Sequence, residues 1–348
     1  MTNFSFYRIV FIVLTAALSS CTNTLYTSIE VLKPARVTFP KSVNSVLIVN
    51  NAPIQPENLG HKTELFNQNP QNPAIKTDSL GIFCVSSFAE TLAEKDFFNR
   101  VETSPINQNN LDFKLSPQPM TMEKATELCK NYNTDAVISL NRILVNDLQA
   151  ELFNETKNTY ISFLEAKYDL HWTIYVPENT RMGSITTRDT LYWESEAFNR
   201  KKAIAGLPDR QNALIDGAIL SGESSVNHFI PKWEKVDRYF FNFNSGMYKK
   251  GIDKIYYQSW EDAIQIFDSL YLITRNDYKK MKLANNLSVL YEMKGKIDKA
   301  IEFAESALTI VNDLPIMDYN SYWVISNRYE EIQNRKEEIS KVRDQLGN

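Results

Sequence analysis

Glycine is scarce, at 10 of 348 residues, and neither G-x-G-x-x-G nor G-x-x-x-x-G-K-[ST] occurs. A loop that cradles phosphate through backbone N–H groups is therefore missing, and the nucleotide-binding classes that depend on it are excluded. Histidine and cysteine number three each. His61, His171 and His228 lie far apart, and no His-x₃-His or Cys-x₂-Cys pair is present, so no metal site and no cofactor is expected. There is no surplus of positive charge. Lys and Arg total 38 against 42 Asp and Glu, a net charge of −4, which offers no basic stripe for nucleic acid. What is present is apolar mass. The chain is 43% hydrophobic and 12% aromatic, so it can bury a core over a length that suits two domains.

The most apolar run, residues 9–18, is about ten residues long, against the roughly 20 that a helix needs to cross a bilayer. Arg8 precedes it and small residues follow, the layout of a cleaved secretory signal. Its end, Leu18-Ser19-Ser20-Cys21, resembles the lipobox of bacterial lipoproteins. That resemblance implies a signal peptide over residues 1–20, a lipid on Cys21 and a tether over residues 21–37. It also implies attachment to a membrane, since several acyl chains hold a protein firmly on a bilayer. No aspartate follows Cys21 and residues 22–28 carry no acidic run. By likeness to that family, the periplasmic face of the outer membrane is expected over the surface. Cys84 and Cys129 both sit in helix-like apolar patterns and are expected as free, buried thiols.

Residues 38–242 read as strand, helix, helix, strand, hairpin, helix, strand. Residues 45–49 form an apolar run between turn residues and suit a buried strand. Asp78 is positioned to cap a helix with Leu80, Phe83, Cys84, Phe88 and Leu92 inward. Thr121 caps a second helix with Met122, Ala125, Leu128, Cys129 and Tyr132 on one face. Residues 168–176 alternate, with Tyr168, Leu170, Trp172, Ile174 and Val176 together. Ile185, Leu191 and Trp193 return on one parity, which makes an antiparallel hairpin. Residues 55–77 and 104–119 read as loops. A last strand is expected within residues 233–241.

The stretches at residues 44–49 and 132–138 carry a resemblance to the small α/β domain of the curli-secretion lipoprotein. They are similar, too, to lipoprotein activators of peptidoglycan synthases and to the amino-terminal domain of the Tol-system propeller protein. The likeness implies a fold rather than an activity. Residues 243–348 change character. Leu287, Ser288, Tyr291, Gly295, Ala300 and Ala307 resemble the pattern of a tetratricopeptide repeat, with Ala304 where a large aromatic is usual. Gly251, Trp260, Ala263 and Phe267 suggest an earlier copy. The whole arrangement resembles Bacteroidota lipoproteins that place such repeats after an α/β domain.

The fold class expected is therefore α+β: a signal peptide, a small sandwich-like α/β domain with a mixed or antiparallel sheet over residues 38–242, and an all-α tetratricopeptide-like domain over residues 243–348. In repeat families the first helix of each pair lines the concave face. Carried over, that face nominates Lys282, Asn285, Val289, Glu292 and Met293 for an envelope protein partner. Tyr248, Ile252, Ile255 and Tyr256 are expected to pack on the α/β domain. Glu194 and Glu196 point the same way from one strand, a spacing that glycosidase carboxylates can adopt, although a polar strand face has the same pattern. Asp78-Ser79-Leu80, Asp189-Thr190-Leu191 and Asp268-Ser269-Leu270 resemble the short O-glycosylation signal of Bacteroidota. Two functions remain open. One is a non-enzymatic, lipid-anchored interaction scaffold, which is preferred. The other is an activator or enzyme acting on cell-wall or glycan substrates.

Overall fold

The computed structural model describes residues 24–104, 112–177, 181–244, 246–316 and 318–347. Cys21, the expected lipidation site, lies outside them. The chain divides into two units, residues 35–231 and residues 24–34 with 232–346. The second begins with strand β1 (Thr24–Lys33), so the chain enters it before it enters the α/β unit.

In the α/β unit, the elements are β2 (Ser45–Asn50), β3 (His61–Glu64), α1 (Leu80–Glu94), β4 (Arg100–Thr103), α2 (Met122–Tyr132) and β5 (Ala136–Asn154). They are followed by β6 (Thr159–Tyr175), β7 (Arg181–Ala197), α3 (Arg200–Ala205) and α4 (Arg210–Ser225). The sheet runs β4-β2-β5-β6-β7, with β3 added along the outer part of β5. It is mixed: β2 is parallel to β4 and β5, β3 is parallel to β5, and β5-β6-β7 is an antiparallel meander.

Alternation decides which layer covers which face. Val46, Ile48, Ala136, Ile138 and Leu140 pack with Leu80, Cys84, Phe88 and Leu92 of α1 and with Leu214 and Ala218 of α4. Leu47, Val49, Val137 and Tyr175 point the other way, onto Ala125, Leu128 and Cys129 of α2. Trp172 anchors the larger core: Phe88 stacks on it at 4.5 Å, and Phe229 meets Phe88 edge-on at 5.0 Å. Cys84 and Cys129 thus lie on opposite faces of one sheet, both buried and both free. Thr121 caps α2 by accepting from the Lys124 backbone N–H, and the helix ends at Asn133 in the left-handed conformation, φ 53°.

Some expectations need correcting. The segment read as a loop over residues 55–77 contains β3, and β4 follows α1 directly. The N-cap of α1 is Ser79 rather than Asp78, and Phe83 is exposed.

The second unit is built around five helices: α5 (Gly246–Tyr256), α6 (Trp260–Ile273), α7 (Asp277–Met293), α8 (Ile297–Asn312) and α9 (Tyr319–Leu346). The first four form two helical hairpins. Gly251 lets α5 approach α6, since a Cβ there would lie 2.1 Å from the Phe267 ring. Ala300 and Ala304 are fully buried, and Phe303 beside them stacks on Tyr291 at 5.4 Å and 4°. Ile252 and Ile255 pack within this unit, with Phe240, Phe243 and Phe267. Tyr256, grouped with them from the sequence, is exposed.

Residues 21–37 are not a free tether in their described part. β1 pairs antiparallel with β8 (Lys232–Phe241), from Thr24 opposite Phe241 to Lys33 opposite Lys232. The inward face of this ribbon, with Phe240 and Arg238, is buried in the helical unit. The expected boundary at residues 242/243 therefore moves, because β8 lies with the helices that follow it.

Candidate functional site

The five nominated residues lie on α7, and the structure gives most of them another role. Asn285 and Val289 are fully buried, Glu292 is buried, and Lys282 and Met293 are half-buried. The β1–β8 ribbon supplies the reason. Asn285 donates to the carbonyl of Tyr239 at 3.3 Å. Its neighbour Asn286 closes both backbone groups of Phe241, accepting from the N–H at 2.7 Å and donating to the carbonyl at 2.8 Å. Two side-chain amides thus satisfy a strand edge that would otherwise be open. Val289 belongs to the apolar cluster around Phe240 and Phe267, and Lys282 holds its ammonium 5.4 Å from the centre of the Phe241 ring. This face is filled by the chain's own strand, which corrects the expectation of an open partner surface there.

Glu292 is the electrostatic centre of that contact. It accepts from Arg238 through both carboxylate oxygens, at 2.8 and 3.0 Å, and from Arg328 of α9 at 2.7 Å. Arg328 also donates to the hydroxyl and carbonyl of Ser288. Burial pushes the Glu292 carboxyl up, but the two guanidinium groups outweigh it and hold it below its ordinary value. Arg238 is raised by the same pairing, against the opposing effect of burial. The arrangement is a fully paired buried ion cluster that joins β8, α7 and α9.

A second ionic cluster holds the α/β unit together. Asp147 on β5 pairs with His61 Nδ1 and accepts from Arg210 Nε at 2.6 Å. Arg210 continues to Thr63 Oγ1 and the Lys62 carbonyl. Glu151 accepts from Arg200 at 2.9–3.0 Å and from the Phe66 backbone N–H at 2.9 Å. An Asp–His pair suggests general base chemistry, but His61 is 1% exposed, so a substrate could not reach it. The cluster pins β3 and the starts of α3 and α4 to β5.

The remaining chemical candidates resolve similarly. Glu196 accepts from Thr159 at 2.5 Å and Lys157 at 3.0 Å, which holds its carboxyl below the ordinary value. A glycosidase acid needs the reverse shift. Glu194 accepts from the Tyr192 hydroxyl on the same exposed strand face. His171 is half-buried and its Nδ1 lies 3.1 Å from Thr186 Oγ1. Burial pushes both the Cys84 and Cys129 thiols up, away from thiolate reactivity. In the three Asp-Ser/Thr-Leu matches, Leu80 begins α1, Thr190 lies on β7, and the Ser269 hydroxyl donates to the Gln265 carbonyl within α6.

Two surfaces of the helical unit were not read from the sequence. The first is a groove of about 770 Å³ between the α7–α8 turn and the end of α9. Exposed Lys296, Lys299, Lys336 and Arg343 border it. Ile297 and Ile339 form an apolar floor, and Asp298, paired with Lys336 at 3.0 Å, is its acidic residue. The second is a line of exposed aromatic residues. Tyr26 faces Tyr239 across the ribbon, Tyr239 and Trp323 line one small cavity, and Tyr319 lies one helical turn from Trp323.

α9 orders these surfaces along one axis. Its start meets the ribbon near Tyr239, and its later turns meet the other end, where Glu338 pairs with Lys33 at 2.6 Å and Arg335 donates to the Leu32 carbonyl. Trp323 and Lys336 are about 20 Å apart along the helix at ~1.5 Å per residue.

Fold and geometry define a two-part chain: a mixed-sheet α/β unit over residues 35–231, and a strand-bound helical unit built from residues 24–34 and 232–346. By sequence, the chain belongs to the family described as "Domain of unknown function (DUF8603)", matched over residues 43–241. Residues 249–339 match the family described as "Domain of unknown function (DUF6340)". No curated protein matches. A solved structure titled "Crystal structure of uncharacterized protein" is similar at 9% identity over 55% of this chain and 95% of its own, with a TM-score of 0.23.

Proposed function

We propose that this chain is a non-enzymatic interaction scaffold of the cell envelope, anchored by a lipid on Cys21 and recruiting a protein through its helical unit. The observation that carries this reading is the basic groove at the distal end of α9. Four cations around an apolar floor complement an acidic segment with apolar side chains. Of the α7 residues expected to form a partner face, Asn285, Glu292 and Lys282 contact β8 instead. The two hairpins support a tetratricopeptide-like role, and the lipobox resemblance supports the outer membrane, periplasmic face.

The test is crosslinking in living cells with wild type and the Lys299→Glu/Lys336→Glu variant. Both side chains are exposed, so the variant should fold with stability within about 0.5 kcal/mol of wild type and lose the crosslinked protein. Unchanged capture by the variant refutes the groove. Crosslinking to glycan with no protein favours the activator or enzyme reading.

A further inference from the structure

We propose that the aromatic line Tyr26–Tyr239–Trp323–Tyr319 is a membrane-contact surface that seats the helical unit in the headgroup layer of the bilayer. This rests on the reading that Cys21 carries the lipid. The four side chains are 68%, 46%, 64% and 76% exposed, which is costly for large rings unless something covers them. All four are Tyr or Trp rather than Phe or Leu, the types whose apolar body and polar tip suit the boundary between hydrocarbon and water.

The path of the chain selects the bilayer as the occupant. Only Thr22 and Asn23 separate Cys21 from Thr24, the first residue of β1. A link of three residues spans at most about 10 Å. Tyr26 follows two residues later on the ribbon's outward face, with Tyr239 opposite it. The headgroup layer is ~5–8 Å thick on each side of the hydrocarbon. A lipid on Cys21 would therefore hold this end of the ribbon against that layer, because β1 is built into the unit rather than trailing from it. The basic groove lies toward the other end of α9 and remains open to a partner. Charge does not drive the contact: Glu331, an acidic residue, lines the same small cavity as Tyr239 and Trp323. The contact is apolar and interfacial rather than an attraction to anionic lipid.

The full mature protein, purified from membranes, is weighed intact and placed in phosphatidylethanolamine–phosphatidylglycerol vesicles whose acyl chains are brominated near the carbonyl. Trp323 emission is read as the difference between wild type and Trp323→Phe. The expected result is a mass increase from acylation and loss of most Trp323 emission on bromination. An acylated protein with undiminished Trp323 emission overturns the contact and leaves the anchor standing. A protein without acyl groups that still binds the vesicles with quenched Trp323 removes the anchor and keeps the contact; one that stays in solution overturns both. The Tyr26→Ser/Tyr239→Ser/Tyr319→Ser/Trp323→Ser variant supplies the remaining arm. If it folds and loses a crosslinked protein, while wild-type Trp323 is not quenched, the line is a protein-docking surface and the proposal fails.

Discussion

The two units close their cores by different routes. The α/β unit is assembled from one continuous segment, residues 35–231, whose helices cover the two faces of a sheet made from the same stretch. The helical unit needs both flanks of that segment. Its ribbon joins Thr24 to Phe241 and Lys33 to Lys232, and the buried Asn285, Asn286 and Glu292 of α7 all find hydrogen-bond partners on β8. One unit joins apolar periodicity to an ionic cluster drawn from its own continuous segment. The other adds a polar lock that has meaning only once a distant strand arrives.

The lock should give the largest effect. Glu292→Ala leaves Arg238 and Arg328 buried without their shared carboxylate, and breaking such a pair costs about 3–5 kcal/mol. Trp172→Ala should cost a similar ~3–5 kcal/mol through the cavity left between Phe88 and Phe229. Hydrogen exchange read by peptide should place the first loss in residues 232–346 and the second in residues 35–231. Equal loss of protection in both units from either variant would break the division. pH separates them again. Glu292 has a lowered folded-state value, so its contribution is present above the unfolded value and disappears as pH falls through the folded one. The helical unit should therefore weaken below the ordinary glutamate range of about 4.3, and the Glu292→Gln variant should show a flatter acid dependence.

That contrast also explains what could be read in advance. Val46-Leu47-Ile48-Val49 and the alternation from Tyr168 to Val176 announce their strands, and the small residues Gly251, Ala263, Ala300 and Ala307 announce closely packed helices. β3 and β4 are four residues each, too short to show a period. β1 does alternate, with Leu25, Thr27, Ile29 and Val31 on one parity, but its place just after Cys21 made a tether the simpler reading. Its partner lies about 200 residues away, and local pattern carries no information about such pairing. The polar residues of α7 misled for the opposite reason: Asn and Glu on a helix suggest water unless the groups that satisfy them are known. The groove and the aromatic line were hidden because each joins residues from separate elements.

A smaller effect compares packing at two glycines. A Cβ at Gly217 would lie 2.1 Å from the Tyr168 hydroxyl, whose oxygen already donates to the Leu214 carbonyl at 2.8 Å. A Cβ at Gly251 would lie 2.1 Å from the Phe267 ring. Each Gly→Ala change should cost about 1–3 kcal/mol by overpacking, measured by denaturant unfolding. In Gly217→Ala the strand below α4 restricts relief. Tyr168→Phe in that background removes the hydroxyl and should recover part of the loss. In Gly251→Ala, Phe267→Leu should do the same. Failure of both rescues would mean that backbone preference, rather than contact, sets the cost.

The smallest effect lies at the two left-handed turns. α2 ends at Asn133 with φ 53°, and the α7–α8 turn passes through Gly295 with φ 69°. Most L-residues lose roughly 1–2 kcal/mol in this conformation, while glycine adopts it freely and asparagine at reduced cost. A Cβ at Gly295 meets nothing within 4 Å, so substitution there tests the backbone alone. Gly295→Ala should destabilise the helical unit by about 1 kcal/mol, and Gly295→Asn by less. Asn133→Gly should change the α/β unit by only a few tenths of a kcal/mol, since the same residue's backbone N–H still reaches the Cys129 and Lys130 carbonyls. Combining Asn133→Gly with Gly295→Asn should give the sum of the two separate changes, because the two positions lie in different units. A loss well above 1 kcal/mol in Gly295→Asn would show that this turn, which borders the basic groove, is held by more than its backbone angle.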